Sequence, residues 1–187
     1  MKRRSFLFTN LALVPGVALV RAALSAPLRM TTGFKVPSGE ARLNKHYTMK
    51  GVTKNILDLK IAGEDTDGDL AVFEQTGLTK LGGPPLHIHP HQDEWFFVIK
   101  GQYLFQVGED QYSLSAGDTI FLPRNVKHAF IQLSRRGKMI VSYLPAGKME
   151  DFFKVTDAWT QPPTKAEMAK AFSDHDMEIV GPPLNKP

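Results

Sequence analysis

The 187-residue sequence contains no cysteine. This absence excludes disulfide bonds, thiolate metal ligands, thiol nucleophiles and a lipid-modified cysteine. Any metal ion that the protein binds must therefore be held by nitrogen and oxygen atoms. The sequence also lacks an internal repeat and a low-complexity tract, and its length predicts one ordinary domain with its own core.

Outside its first 25 residues the sequence lacks an excess of basic charge. The whole chain has a formal net charge of +4, but residues 1–25 contain four of its 23 lysines and arginines and no acidic residue. The remainder therefore has 19 basic and 19 acidic residues. A protein that neutralises many phosphates needs a standing basic patch. We accordingly predict no nucleic-acid partner.

Residues 1–25 have the pattern of an export signal. Basic residues at 2–4 precede an apolar run over 11–20, and small residues follow at 23–25. The run is shorter than the roughly 20 residues that span a bilayer, so we predict no stable membrane anchor after leader removal. Arg3-Arg4 resembles a twin-arginine signal, with an ordinary secretory leader as the alternative. Both predict an exported protein, periplasmic or secreted.

Residues 51–145 are predicted to form an all-β barrel or sandwich. Short apolar runs alternate there with turn residues at the roughly eight-to-twelve-residue spacing that is typical of such folds. The predicted strands are residues 55–61, 69–76, 86–89, 94–99, 102–107, 111–114, 118–122, 128–133 and 138–144.

The segments on either side of this region have a different character. Residues 26–50 show no regular period and are predicted to be an extended arm or linker. Residues 146–187 are predicted to be a helical tail that packs on the barrel. Met149, Phe152 and Phe153 stand at helical spacing there, and a second helix is predicted over residues 164–172 after two prolines.

The strand predicted at residues 94–99 is apolar on both faces. Glu94 and Phe96 share one face, while Trp95, Phe97 and Ile99 share the other. The outer face therefore needs cover. We expect the C-terminal helices to fold over it, with a homodimer as the alternative.

Histidines are concentrated in one short segment. His87 and His89 project from the same side of a predicted strand, about 6–7 Å apart, so both imidazoles can bind one ion. Pro90 interrupts regular pairing, which allows Glu94 to return to the inner face. His128 lies on a later strand and completes a set of three nitrogens and one oxygen. His91 is expected to lie in the bend and face solvent. The set suits one divalent transition ion of iron, manganese, nickel, copper, cobalt or zinc.

These residues resemble the two motifs of the cupin superfamily. The first motif, G-x5-H-x-H-x(3–4)-E-x6-G, matches His87, His89, Glu94 and Gly101, although its leading glycine is displaced. The second, G-x5-P-x-G-x2-H-x3-N, matches Gly117, Pro123 and His128, with Asn125 in place of a glycine and Gln132 in place of the asparagine. The resemblance implies a double-stranded β-helix, or jelly-roll barrel, with the metal inside.

The stretch from His87 to Phe153 resembles small single-domain cupins similar to quercetin 2,3-dioxygenase. This implies a metal-dependent dioxygenase acting on an enolisable or phenolic small molecule, with Glu94 also accepting the substrate proton. By inward parity or aromatic character, Phe96, Phe105, Phe130 and Gln132 are predicted to line the substrate pocket, with ordinary core packing as the alternative for the three phenylalanines. Two other functions stay open: a metal-dependent isomerase or lyase, and a non-catalytic module that binds a small ligand or metal.

Overall fold

A computed structural model describes residues 29–51 and 53–185. The predicted signal peptide therefore lies outside the described residues. The described part consists of antiparallel strands that form two facing sheets, followed by two short helices. The predicted all-β, double-sheet barrel with short C-terminal helices is confirmed. In these described ranges no helix is both long and apolar enough to cross a membrane.

Six of the described strands form one sheet and five form the other. The first sheet has the order β1-β2-β3-β10-β5-β8, and the second has the order β11-β4-β9-β6-β7. The strand bounds are β1 His46–Thr48, β2 Ile56–Ile61, β3 Ala71–Gly77, β4 Pro85–Ile88, β5 Asp93–Lys100, β6 Gln102–Val107, β7 Asp110–Ser115, β8 Thr119–Leu122, β9 His128–Gln132, β10 Gly137–Leu144 and β11 Glu178–Pro183.

Alternating side chains of these strands form the core between the sheets. In β3, Ala71, Phe73 and Gln75 are buried, while the residues between them are less so. Phe73 and Phe105, from opposite sheets, are fully buried. Such alternation is the burial pattern expected of strands with one face on a core. In a strand of this kind, every second side chain therefore points into the interior.

Both flanking segments contribute a strand that the sequence analysis did not predict. β1 lies inside the segment interpreted as an arm or linker, and it pairs with β2. β11 lies inside the tail and pairs with β4 at the edge of the second sheet. β11 contains Gly181, Pro182 and Pro183, which disfavour strand structure in the interior of a sheet but are tolerated at an edge. The barrel therefore extends beyond residues 51–145 at both ends.

Two helices follow β10. Helix α1 spans Met149–Ala158 and helix α2 spans Lys165–Asp174. The Thr164 hydroxyl accepts a hydrogen bond from the Glu167 backbone N–H, and the Glu167 carboxylate accepts one from the Thr164 backbone N–H. This reciprocal cap starts α2 directly after the prolines. Phe152 of α1 packs against Phe172 of α2, with ring centroids 5.0 Å apart.

The outer face of β5 is not covered by these helices. Trp95 and Ile99 are 38% and 42% exposed, and Phe121, the neighbour of Trp95 on β8, is 56% exposed. The expectation that the C-terminal helices fold over this face is wrong. Instead the aromatic side chains of the helices pack against the core between the sheets, where the ring centroid of Phe153 lies 4.9 Å from that of Phe73. A homodimer through the outer face stays a prediction, to be tested by the mass at sedimentation equilibrium.

Candidate metal centre

Four side chains from both sheets meet between them. His87 lies on β4 and is in register with His128 on β9, whereas Glu94 lies on β5 in the other sheet. His89 follows the end of β4, in the bend that carries the chain from one sheet to the other. One ligand atom from each of the four lies within 4.8 Å of the others, and all four residues are buried. The structure therefore brings the four predicted ligands together.

The three imidazoles are held in the same tautomer. His87 Nδ1–H donates to the Pro85 carbonyl at 2.8 Å, and His128 Nδ1–H donates to the Val126 carbonyl at 2.9 Å. His89 Nδ1–H donates to the side-chain oxygen of Gln92 at 3.0 Å. Each ring therefore presents the lone pair of Nε2 to the centre of the cluster, which is the arrangement that metal-binding histidines require.

The distances between these donor atoms fit a transition-metal ion. Nε2 of His89 and Nε2 of His128 each lie 2.9 Å from Oε1 of Glu94. Two ligands about 2.1 Å from an ion and at right angles to each other are about 3.0 Å apart. Because the Nδ1 protons are already donated elsewhere, each contact brings a lone pair against a carboxylate, which needs a positive charge in between. A proton or a metal ion supplies that charge.

Burial and mutual charge set the protonation of the cluster. Burial alone would raise the pKa of Glu94, but the neighbouring imidazoles of His89 and His128 hold that pKa well below its usual value. Burial lowers the pKa of His87 well below its ordinary value, and the two other histidines add to this effect. The carboxylate is therefore ionised and His87 neutral at neutral pH, as metal binding requires.

The cluster forms one wall of a partly open cavity of about 40 Å³. The rest of the lining is mostly aromatic and methionine side chains, and of the described residues no lysine or arginine contributes to it. The lining residues besides the four ligands are Met49, Thr53, Asn55, Gln75, Pro84, Phe96, Phe130, Tyr143, Met149, Phe152, Phe153, Phe172 and Met177. The tail therefore contributes to the cavity through both helices.

The four predicted pocket residues divide into two pairs. Phe96 and Phe130 line the cavity, whereas Phe105 and Gln132 do not. Phe105 is fully buried behind these two rings, 5.2 Å from each, and is a core residue. Gln132 donates to the carbonyls of Gly77 and Ser134, so its amide is used within the fold. The prediction that these two residues point inward is confirmed, but the prediction that they line the pocket is wrong.

Gln92 supports the cluster and was missed by the sequence analysis. Its oxygen accepts from His89, and its Nε2 donates to the carbonyls of Pro145 at 2.9 Å and Ala146 at 2.8 Å. A Cβ at Gly147 would lie 2.5 Å from this nitrogen, so a glycine there makes room for the amide. The three bonds orient the His89 ring. Nothing in the sequence around Gln92 distinguishes it from a polar residue of a turn.

His91, three residues before Glu94, takes no part in the cluster. Its side chain is exposed, as expected for a residue in the bend. His46 and His175 also lie away from the cluster, where His46 contacts Asp58 and His175 contacts the Ala171 carbonyl. Of the six histidines, the cluster therefore contains only the three that the motif spacing selected, at positions 87, 89 and 128.

Residues 78–143 match the family model of the cupin domain. An RmlC-like cupin from Shewanella frigidimarina is 18% identical, with a TM-score of 0.51 over 64% of this chain and 96% of that chain. KdgF from Halomonas sp. is 18% identical, with a TM-score of 0.44 over 49% of this chain and 80% of that chain. A recombinant oxalate oxidase in complex with glycolate is 21% identical, with a TM-score of 0.42 over 49% of this chain and 51% of that chain.

No curated protein matches the chain in sequence. The family match over residues 78–143 and the likeness to the Shewanella structure nevertheless agree on the class of fold: the two facing sheets have the cupin jelly-roll fold. Its buried three-histidine, one-glutamate cluster is compatible with metal binding at the position typical of cupins. The similarity to quercetin 2,3-dioxygenase stays a prediction.

Proposed function

We propose that the protein is a metal-dependent dioxygenase that acts on a compact enolisable or phenolic molecule. The observation that carries this proposal is the placement of three Nε2 lone pairs and one carboxylate in the wall of an apolar cavity. His87, His89, Glu94 and His128 would hold one divalent ion of iron, manganese, nickel, copper, cobalt or zinc. The bound ion would supply Lewis-acid chemistry, which lowers the pKa of an enol or phenol, and, if redox-active, chemistry with dioxygen.

The cavity walls favour a flat, weakly polar substrate. Phe96, Phe130 and Phe172 offer aromatic surfaces on which a planar molecule can pack, and their burial excludes water from the site. A sugar or a phosphate ester would need charged or hydroxyl-rich partners. The lining, within the described ranges, has no lysine or arginine for this purpose. This favours the oxygenase over a sugar isomerase or epimerase.

The size of the cavity favours a small substrate. Pockets for drug-sized ligands usually measure about 300–1,000 Å³, whereas this cavity measures about 40 Å³. A flavonol such as quercetin would require the aromatic side chains of α1 and α2 to move apart. A β-diketone or a simple catechol would require much less movement. We therefore place compact molecules ahead of flavonols as substrates.

Glu94 is the residue that would accept the substrate proton. Its carboxylate lines the cavity and is ionised, because His89 and His128 hold its pKa well below the usual value. Tyr143 lines the same region, and burial raises its pKa well above the ordinary value, with the charge of Glu94 adding to the effect. Tyr143 therefore stays a neutral phenol and does not compete for the proton.

Oxygen uptake tests this function directly. The purified protein is reconstituted with each of the six ions and supplied with acetylacetone, catechol, 4-methylcatechol and quercetin. We expect uptake with a compact substrate and at least one redox-active ion, and none with zinc or with His87→Ala. No uptake with any ion across this panel would contradict the proposal. Turnover without oxygen would instead favour an isomerase or lyase, and thermal stabilisation without product would favour a binding module.

We also propose that the protein is exported with the leader at residues 1–25. The support is the sequence pattern alone, with paired arginines ahead of a short apolar run. Replacing Arg3 and Arg4 together by lysine keeps the charge but removes the twin-arginine pair. We expect the double variant to accumulate in the cytoplasm, as measured by fractionation and immunoblotting. Unchanged export would indicate an ordinary secretory leader.

A further inference from the structure

The cavity contains one polar group that no other part of the described chain satisfies. Gln75 lies on β3, is 4% exposed and lines the cavity. Its side-chain Nε2 is the one buried side-chain nitrogen or oxygen, within residues 29–51 and 53–185, that has no hydrogen-bond partner. A buried donor without a partner is costly, and native proteins rarely keep one without a reason.

The other buried glutamines of the described chain are fully used. Gln92 donates twice and accepts once at the metal centre. Gln132 donates to the carbonyls of Gly77 and Ser134. All three glutamines are at most 4% exposed, so burial alone does not explain the difference. Gln75 differs because it lines the cavity and its amide nitrogen has no acceptor within hydrogen-bond distance.

Gln75 lies far along the barrel from the metal ligands. On β10, its register partner is Met139, whereas the partner of Glu94 is Tyr143. These positions are four residues apart, which corresponds to about 13 Å of strand. Gln75 is therefore no metal ligand and cannot orient one directly. Thr53 and Asn55, which precede β2, also line the cavity, and Asn55 lies two residues from Leu57, the register partner of Gln75 on β2.

We propose that Gln75 is a substrate-binding residue, whose side-chain amide donates a hydrogen bond to an oxygen at the end of the substrate that lies away from the metal ligands. This inference rests on the proposed function, since it takes the cavity to be the substrate site. It narrows the substrate class to compact molecules with two oxygen functions. One is an enol or phenol at the metal end, and the other is a carbonyl, carboxylate or ether oxygen at the Gln75 end.

A pair of matched catechols tests this role by binding rather than by turnover. Both 3,4-dihydroxybenzaldehyde and 4-methylcatechol present two adjacent hydroxyls to the metal, but only the aldehyde carries an acceptor at the opposite end. Because the formyl group also makes the catechol more acidic, the preference between the two compounds is compared between the wild type and a variant that lacks the donor. The full-length protein is loaded with zinc, which is not redox-active, and each catechol is titrated calorimetrically. We expect the preference of the wild type for the aldehyde over the methyl compound to exceed that of the variant about three- to tenfold, the usual range for one hydrogen bond.

The variant Gln75→Met removes the donor and keeps the length of the side chain. We expect it to bind zinc at the same stoichiometry, to melt no earlier than the wild type, and to show the smaller preference for the aldehyde. Met139→Leu, a volume-conserving change at the register partner of Gln75, serves as the control and should keep the preference.

Several outcomes would overturn the role of Gln75 and leave the metal site intact. These are an equal preference in wild type and Gln75→Met, failure of both catechols to bind the zinc-loaded wild type, or an earlier melting of Gln75→Met. The last would show that the amide bonds a structural water. Failure of the wild type to bind zinc at all would instead contradict the proposed function.

Discussion

The two ends of the cavity are both polar and both buried, yet their polar atoms are satisfied to different degrees. At the metal end, each histidine Nδ1 has an acceptor within 3.0 Å. At the other end, the amide nitrogen of Gln75 has no partner in the described chain. One end is held in place by the fold, and the other is left with free hydrogen-bonding capacity.

This difference separates contacts that the folded chain makes within itself from contacts that are left for a bound molecule. A metal ion needs ligands whose orientation is fixed in advance, and neighbouring hydrogen bonds fix it. A substrate has to enter and leave, so the group that recognises it must be free of other partners between turnovers. Because the satisfied end stabilises the fold and the unsatisfied end destabilises it, substitutions at the two ends should have opposite signs.

The largest effect is expected from removing a metal ligand. His87→Ala should lower the bound metal from one ion per chain to nearly none, as measured by elemental analysis. A metal present at about 100 times its dissociation constant adds about 2.7 kcal/mol to the free energy of unfolding. That increment should appear in the wild type and be absent in His87→Ala.

The matched control is His91→Ala, because His91 is exposed and outside the cluster. It should bind metal like the wild type. Equal metal content in all three proteins would remove the assignment of the site.

The next largest effect is expected at the residue that orients His89. Gln92→Met leaves His89 Nδ1 and the carbonyls of Pro145 and Ala146 without their partners. We expect metal affinity to fall about 10- to 100-fold, measured by competition with a chelator of known affinity. We also expect the metal-free protein to lose about 1–3 kcal/mol of stability in urea denaturation. Wild-type affinity in this variant would show that the His89 ring is held by packing alone.

The same substitution at the other end should act in the opposite direction. Gln75→Met removes a buried donor that has no partner, so the free energy of unfolding of the metal-free protein should rise by about 1 kcal/mol. The comparison with Gln92→Met uses one chemical change at two buried glutamines, measured in the same urea titration. A loss of stability of similar size in both variants would remove the distinction between the two ends.

The smallest effect is expected on the outer face of β5. Trp95 is 38% exposed and contacts neither end of the cavity. Trp95→Ser should change the free energy of unfolding by no more than about 0.5 kcal/mol and leave zinc stoichiometry unchanged. A loss of metal in this variant would show that the two faces of β5 are coupled.

The sequence predicts the regular part of this fold because each strand carries its own signal. Alternation and turn residues locate the strands from β2 to β10, and helical spacing locates α1. β1 and β11 escape prediction because their partners are supplied by the fold. β1 has only three residues, and β11 carries two prolines that only an edge position tolerates. Edge strands of this kind are specified by tertiary pairing more than by local propensity.

The site divides in the same way. The spacing of His87, His89, Glu94 and His128 predicts the cluster because the motif places donor atoms of fixed type at fixed intervals. Gln75 and Gln92 are missed because an amide has no comparable signature. Inward parity in the alternating strand β3 was the available signal for Gln75. Whether an inward amide is satisfied depends on which carbonyls lie opposite, and this is decided by packing.

The three hydrogen bonds of Gln92 have a consequence for the tail. They join the His89 ring to the carbonyls of Pro145 and Ala146, three residues before helix α1 begins at Met149. That helix in turn carries Phe152 and Phe153 into the wall of the cavity. Gln92 therefore connects the orientation of the imidazole to the segment that leads into α1. We expect an ion bound to His89 and a ligand packed against Phe152 and Phe153 to strengthen each other's binding, because linked equilibria are reciprocal.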